Sequence, residues 1–422
     1  MKTSKIVGSV CWYLGFTTLA VALGIGNSMA NDYHSIISLT LKQDESKIVK
    51  NDEDSTNSEY FKSSYASDEE REEKGRQLCE EAEKEGIVLL KNEENTLPLK
   101  NVKKISLFGM DSANPVYGGT GSGSIKTETA ITAKAGFENA GYEVNPTLWD
   151  FYNGFVKDKK YLRTSAAIEG NAGVQYKVNE APQSEYTSTV KNSYQDYKDC
   201  AIVFIGRSGG EGSDLSYSTD ENQNGYLALS QNEADLLQSI QDGNVFDKII
   251  IVINSSNSME LAWMENYSKI KGAIWVGSVG TTGMNAVAKT ISGEYNPSGR
   301  LVDTYAADSK SAPAIQNFGN FEYTNASELS DLNEPYFTST QYTGKNYIVY
   351  QEGIYIGYRY YETRYEDAVY SRGNAGNYRY QDEVTYPFGY GLSYTTFAYS
   401  DYSVSKKNNE YIVSVSVTNT GK

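Results

Sequence analysis

Ala201-Ile202-Val203-Phe204-Ile205 runs directly into Gly206-Arg207-Ser208-Gly209-Gly210-Glu211-Gly212-Ser213-Asp214. The apolar half is continuous rather than alternating, as a strand covered on both faces requires. The second half turns abruptly polar and glycine-rich, so the strand ends in a loop. In open parallel sheets, ligands bind beyond the carboxyl ends of the strands. A glutamate between glycines at such an end has no bulky neighbours and can project into a cleft.

The same apolar signature recurs outward from this point. It is seen in Ile87-Val88-Leu89-Leu90, Ile105-Ser106-Leu107-Phe108, residues 249–253 and Ala273-Ile274-Trp275-Val276. Helical patterns separate some of these runs, at 230–240 and 283–290. The alternation predicts an α/β fold with a mostly parallel sheet covered by helices on both faces. Ahead of the first strand, Ser67-Asp68-Glu69-Glu70 reads as a capping box. It opens a charged amphipathic helix reaching about Lys84, stopped by Gly86. At the other end, residues 411–417 alternate as a half-buried antiparallel strand does. One or two strands do not fold alone, so the first strands of an antiparallel β-sandwich are expected here.

Bulk properties narrow the chemistry. A chain of 422 residues has room for two or three domains. A net charge of -16 argues against nucleic acid and anionic membrane surfaces, and favours a neutral substrate. Histidine occurs once, as His34, so neither a Ser-His-Asp triad nor a multi-histidine metal site can be assembled. Of the cysteines, Cys79 and Cys200 lie beyond the leader, with neither a disulfide framework nor metal-ligand spacing. Both are expected to be buried, inert thiols. No metal and no cofactor are called for. The 36 tyrosines suit sugar faces as well as ordinary packing in a strand-rich protein.

Lys2 and Lys5 precede a charge-free stretch over 6–26, and Ser28-Met29-Ala30 offers small residues for cleavage. Residues 1–30 therefore read as a signal peptide or a membrane anchor, which is the sole route to a membrane. Either reading places the rest of the chain outside the cytoplasm, secreted or at the cell surface. Residues 31–66 are acidic and aperiodic, an expected flexible linker. A second glycine-rich loop, Tyr117-Gly118-Gly119-Thr120-Gly121-Ser122-Gly123-Ser124, follows the run ending at Phe108. It lacks both the dinucleotide spacing and the P-loop lysine.

Five further motifs occur in order: Glu85-Gly86-Ile87-Val88-Leu89-Leu90-Lys91-Asn92 with Leu97-Pro98-Leu99, Asn296-Pro297-Ser298-Gly299-Arg300-Leu301, Glu352-Gly353-Ile354-Tyr355-Ile356-Gly357-Tyr358-Arg359-Tyr360-Tyr361, Tyr386-Pro387-Phe388-Gly389-Tyr390-Gly391-Leu392-Ser393-Tyr394, and Val417-Thr418-Asn419-Thr420-Gly421. Together they resemble the second domain of glycoside hydrolase family 3, with Val302 where proline is usual. The resemblance implies that residues 67–393 form that family's C-terminal-type α/β sandwich. Residues 394–422 would begin the fibronectin type III-like domain that follows it.

Members of the family cleave terminal β-linked sugars with retention. The nucleophile is an aspartate on a barrel domain, and the acid/base is a glutamate on the α/β sandwich. Glu211 falls on the acid/base position. Asp214 matches an aspartate often found next, although Leu215 stands where an arginine commonly follows. Substrate contacts are expected of Asp214, Gly210, Gly212 and Tyr117, with Tyr217 and Trp275 as further aromatic candidates. Retaining hydrolysis needs two carboxyl groups about 5 Å apart, one of them kept protonated by a closed cleft. Glu211 cannot serve as both.

A leader and linker stand where the barrel usually does, and a barrel takes about 250 residues. Its nucleophile motif, Ser-Asp-Trp, is not found: Ser213-Asp214 precedes Leu215, Ser330-Asp331 precedes Leu332, and Ser400-Asp401 precedes Tyr402. Some similar proteins are permuted, with the barrel last, and an end at Lys422 fits a truncated permuted enzyme. The expected partners are thus a family 3 barrel domain and a β-linked oligosaccharide or glycoside, with no hydrolysis of aryl β-glucosides by this chain alone. A non-catalytic carbohydrate-binding or scaffold module is the alternative.

Overall fold

The computed structural model describes residues 2–33, 63–120, 123–163, 176–178, 180–210, 215, 225–316, 321–329, 331–332, 342–343, 345–373 and 375–421. Two compact units are distinguished, Met1–Ser67 and Asp68–Lys422. The first contributes helix α1 (Lys2–Asp32). Its segment Trp12–Ala30 is long and apolar enough to cross a membrane. Most of the expected linker lies outside the described residues.

The second unit opens with α2 (Asp68–Gly86) and β1 (Val88–Asn92), then β2 (Lys104–Phe108), α3 (Ala133–Asn139), β3 (Glu143–Val144) and α4 (Pro146–Lys157). It continues with β4 (Cys200–Arg207), α5 (Gln231–Asp242), β5 (Ile249–Ser255), β6 (Ile270–Trp275) and α6 (Gly283–Ser292). The six strands form one sheet in the order β1-β6-β5-β4-β2-β3. Every neighbouring pair from β3 to β6 is parallel. Only β1 runs antiparallel, against β6.

The continuous apolar runs supply both faces. On one face Ala201, Val203, Ile205, Ile249, Ile251 and Ile253 pack with Leu148 and Tyr152 of α4 and with Leu236, Leu237 and Ile240 of α5. On the other, Ile202, Phe204, Ile250, Val252 and Ile274 pack with Phe137 of α3 and with Met284, Val287 and Ile291 of α6. Each fully buried Val, Leu, Ile, Phe or Met among them contributes about 1.5–3 kcal/mol of transfer free energy. Helix α2 forms an outer layer on α6, where Lys289 pairs with Glu80 at 2.8 Å and Thr282 donates to the Arg76 carbonyl at 2.7 Å. Cys200 is buried, as expected, and its thiol is pushed up to about 12 by burial. Cys79, also expected to be buried, is only partly so, because α2 lies on the outside of the sandwich.

Three motifs far apart in sequence meet at one corner. Gly299 N–H donates to the Ile87 carbonyl at 3.1 Å, and Leu392 N–H to the Leu89 carbonyl at 2.8 Å. Asn296 accepts from Tyr394 N–H at 3.0 Å. A Cβ at position 299 would lie 2.6 Å from the Ile87 carbonyl oxygen, so only glycine permits this approach. Beyond the corner, β7 (Phe397–Lys407) and β8 (Glu410–Asn419) form an antiparallel hairpin. Residues 411–417 were expected to be half-buried, yet every residue of both strands is exposed. No second sheet covers the hairpin among the described residues.

Candidate active site

The strand order creates a switch point. From β2 the chain moves outward to β3, then returns to place β4 on the other side of β2. Loops leaving the carboxyl ends of β2 and β4 therefore diverge over a crevice, where open α/β sheets bind ligands. The two glycine-rich loops singled out in the sequence are those loops. They touch: Thr120 and Gly210 form a parallel bridge, and Thr120 N–H donates to the Gly209 carbonyl at 3.4 Å. The buried Tyr176 hydroxyl hydrogen-bonds Thr120 Oγ1 at 2.9 Å and donates to the Gly210 carbonyl at 3.4 Å. A Cβ on Gly210 would come 2.9 Å from the Thr120 carbonyl oxygen and 3.0 Å from its nitrogen. Glycine at 210 is thus required for the two loops to meet.

Beneath the crevice lie charged side chains. Arg207, at the end of β4, is fully buried and pairs with Glu233 through two parallel bonds of 2.8 Å. It also donates to the carbonyls of Gly206, Tyr226 and Ala228, at 2.8, 2.6 and 2.7 Å. Glu233 completes a capping box with Ser230 at the start of α5. Asp111 accepts from Gly206 N–H at 2.6 Å and pairs with Arg163. Burial pulls Arg163 down to about 10, so it remains a cation at neutral pH. Glu180, also buried, accepts from the amides of Met110 and Ala181 at 2.7 and 2.9 Å. Burial nevertheless pushes its carboxyl up to about 8.

Asn254 near the end of β5 ties the surrounding loops down. It accepts from Val116 N–H at 2.6 Å and donates to the carbonyls of Val116 and Gly277 at 3.1 and 2.6 Å. Above these groups opens a cavity of about 230 Å³, bordered by Asn114, Tyr117, Gly119, Thr120, Arg163 and Ser208. It is smaller than the roughly 300–1,000 Å³ of drug-sized ligand sites. A second cavity, about 620 Å³, is lined by residues between Asp367 and Arg379 and includes nothing from the sheet's carboxyl edge.

Of the residues predicted from sequence, Gly210 and Tyr117 both border the crevice region. The Tyr117 hydroxyl donates to the Ile131 carbonyl at 3.3 Å, and burial holds it up at about 12. Trp275 is half-buried on β6, with Nε1 donating to the Ser255 carbonyl at 2.7 Å. Glu211, Gly212, Asp214 and Tyr217 lie outside the described residues. Among the described residues there is no cluster of ligands able to hold a metal ion. Sequence reading missed Arg207, Glu233, Asp111, Arg163 and Asn257. The Ser230-to-Glu233 spacing is that of a capping box and could have marked Glu233, but nothing local ties it to Arg207. The Asn257 amide lies against Gly209, its nitrogen buried and without a hydrogen-bond partner among the described residues.

Comparison with known proteins gives one family. A description of the glycosyl hydrolase family 3 C-terminal domain matches residues 87–358. β-Glucosidase A of Butyrivibrio fibrisolvens is 28% identical over 382 residues, covering 82% of this chain and 40% of the relative. A periplasmic β-glucosidase of Salmonella typhimurium is 26% identical, covering 82% and 39%. The structure of β-glucosidase 3B from Thermotoga neapolitana in complex with α-D-glucose superposes with a TM-score of 0.61 at 28% identity, covering 83% of this chain and 42% of that one. The chain thus spans about two fifths of the length of these relatives.

Proposed function

This chain belongs to glycosyl hydrolase family 3, and on that footing we propose that it supplies the general acid/base of a retaining β-glycosidase of β-glucosidase type. Glu211 is the proton donor and acceptor, and the aspartate nucleophile comes from a family 3 barrel domain that these 422 residues do not include. One observation carries the reading. The loop leaving the carboxyl end of β4 at the switch point of the sheet is described as far as Gly210, and Glu211 is the next residue in sequence, in a domain of this family. In the first step Glu211 gives its proton to the glycosidic oxygen as the bond to the anomeric carbon breaks and a carboxylate bonds that carbon. In the second, the Glu211 carboxylate takes a proton from the water that displaces the enzyme. Asp214, Gly210, Gly212 and Tyr117 are proposed to contact the substrate, a neutral β-linked glycoside. The apolar helix α1 and the periplasmic relative support export from the cytoplasm.

The test supplies the full chain with the portion of the Thermotoga β-glucosidase that it does not cover. The mixture is expected to hydrolyse an aryl β-glucoside with retention, and the chain alone is not. General acid/base catalysis is worth about 10²–10⁴-fold, so Glu211→Gln should lower kcat by that order for an alkyl leaving group. The loss should be smaller for 2,4-dinitrophenyl glucoside, with added azide restoring turnover. Equal rates with and without Glu211→Gln would remove Glu211 from the mechanism.

A further inference from the structure

We infer that Arg207 is a positioning residue for the reaction proposed above, holding both ends of the connection that carries Glu211. This inference rests on that reading for its catalytic consequence, but its structural basis is separate.

The connection leaves β4 at Ser208 and returns at Tyr226. Its two ends are fastened to each other at one point. The Tyr226 hydroxyl accepts from Ser208 N–H and donates to the Ser208 carbonyl, both at 2.9 Å. Arg207 sits directly below this clasp. Its Nε reaches the Tyr226 carbonyl and its Nη2 the Ala228 carbonyl, so the guanidinium grips the returning end while its own backbone belongs to the departing one. Its remaining donors go to Gly206 O and to both oxygens of Glu233. All five guanidinium N–H groups are thereby engaged, which a buried arginine needs. Glu233 in turn belongs to α5, so the grip is referenced to a helix packed on the sheet. The planar fork is what makes this possible; a lysine has one nitrogen and cannot span three carbonyls and a carboxylate.

A purely stabilising ion pair would predict something different. A buried pair can often be replaced by apolar residues of similar volume without loss of stability. The double variant Arg207→Met/Glu233→Leu should therefore fold, while losing both carbonyl contacts to the returning end. Arg207→Lys keeps a charge for Glu233 and loses the same contacts, providing a second route if the double variant does not fold.

The experiment has two readouts. Hydrogen exchange on the full chain should accelerate about tenfold or more in peptides from 208–230 in either variant, with β2 and β5 unchanged. In the mixed assay above, misplacement on the scale of 1 Å costs about 10²-fold, so kcat for an alkyl β-glucoside should fall by that order with KM nearly constant. The fall should shrink to a few-fold for 2,4-dinitrophenyl glucoside, whose leaving group needs little protonation. Unchanged exchange in a folded variant overturns the clamp. Accelerated exchange with unchanged kcat overturns the positioning role. Loss of Glu211→Gln sensitivity in the parent would instead sink the glycosidase reading while leaving the clamp intact.

Discussion

Gly210 stands where two backbones approach each other, and Thr120 leaves no room for a side chain there. Alanine at 210 must push the β2 and β4 loops apart or break the Thr120–Gly210 bridge. Both loops lie at the edge of the core, so the cost falls on geometry more than on stability. Gly210→Ala should shift the urea midpoint by less than about 1 kcal/mol equivalent, as peripheral substitutions do. In the mixed assay its kcat should fall about ten- to hundredfold, because Glu211 is the next residue. A large stability loss with unaltered kcat would show that the bridge serves folding alone. The glycine-flanked glutamate was visible in the sequence. Arg207 was not, because its partner Glu233 is 26 residues away and a single arginine after a strand has no local signature.

At the scale of elements, the predicted strands all appear because continuous apolar runs have no exposed face to offer. The pattern could not show that β1 runs antiparallel to β6, since a run buried on both faces reads identically in either direction. Nor could it reveal β3, where Glu143 and Val144 give only two paired residues. The switch point emerges only from strand order. Helix boundaries are better encoded. Helix α4 begins with Pro146 at its first turn, and the Asn145 side chain accepts from Leu148 N–H at 3.2 Å. The same amide donates to Ser193 Oγ at 2.9 Å and Ser106 Oγ at 3.3 Å, fixing the helix to β2 and to the Ser188–Ser193 helix. Asn145→Ala loses cap and tethers and should cost about 2–3 kcal/mol. Asn145→Asp keeps the cap and should cost about half as much, measured by urea denaturation. Equal losses would mean that the cap contributes nothing, and an unchanged Asn145→Asp that the tethers contribute nothing.

For the whole molecule, the buried acids set an unusual pH dependence. Burial raises Glu180 to about 8, overcoming the two amide donors that favour its charged form, and the nearby Glu233 adds to the rise. An unfolded glutamate titrates near 4.3. Between those values the folded chain holds a proton that the unfolded chain has released, so stability falls as pH rises through this window. The slope from one such group reaches at most about 1.4 kcal/mol per pH unit. Groups such as Glu80, drawn below the ordinary range by Lys289 and Asn285 despite partial burial, act in the opposite sense and lose their contribution as pH falls. Stability should therefore peak in the mildly acidic range rather than at neutrality. Glu180→Gln removes the titration but leaves one of the two amide donors facing an NH2 group, at a cost of about 1–2 kcal/mol. Its urea stability should start lower near pH 5 and then decline less steeply to pH 8, so that the two curves converge. A variant whose curve runs parallel to the parent's would show that Glu180 is already ionised in the folded state, with the two amides outweighing its burial.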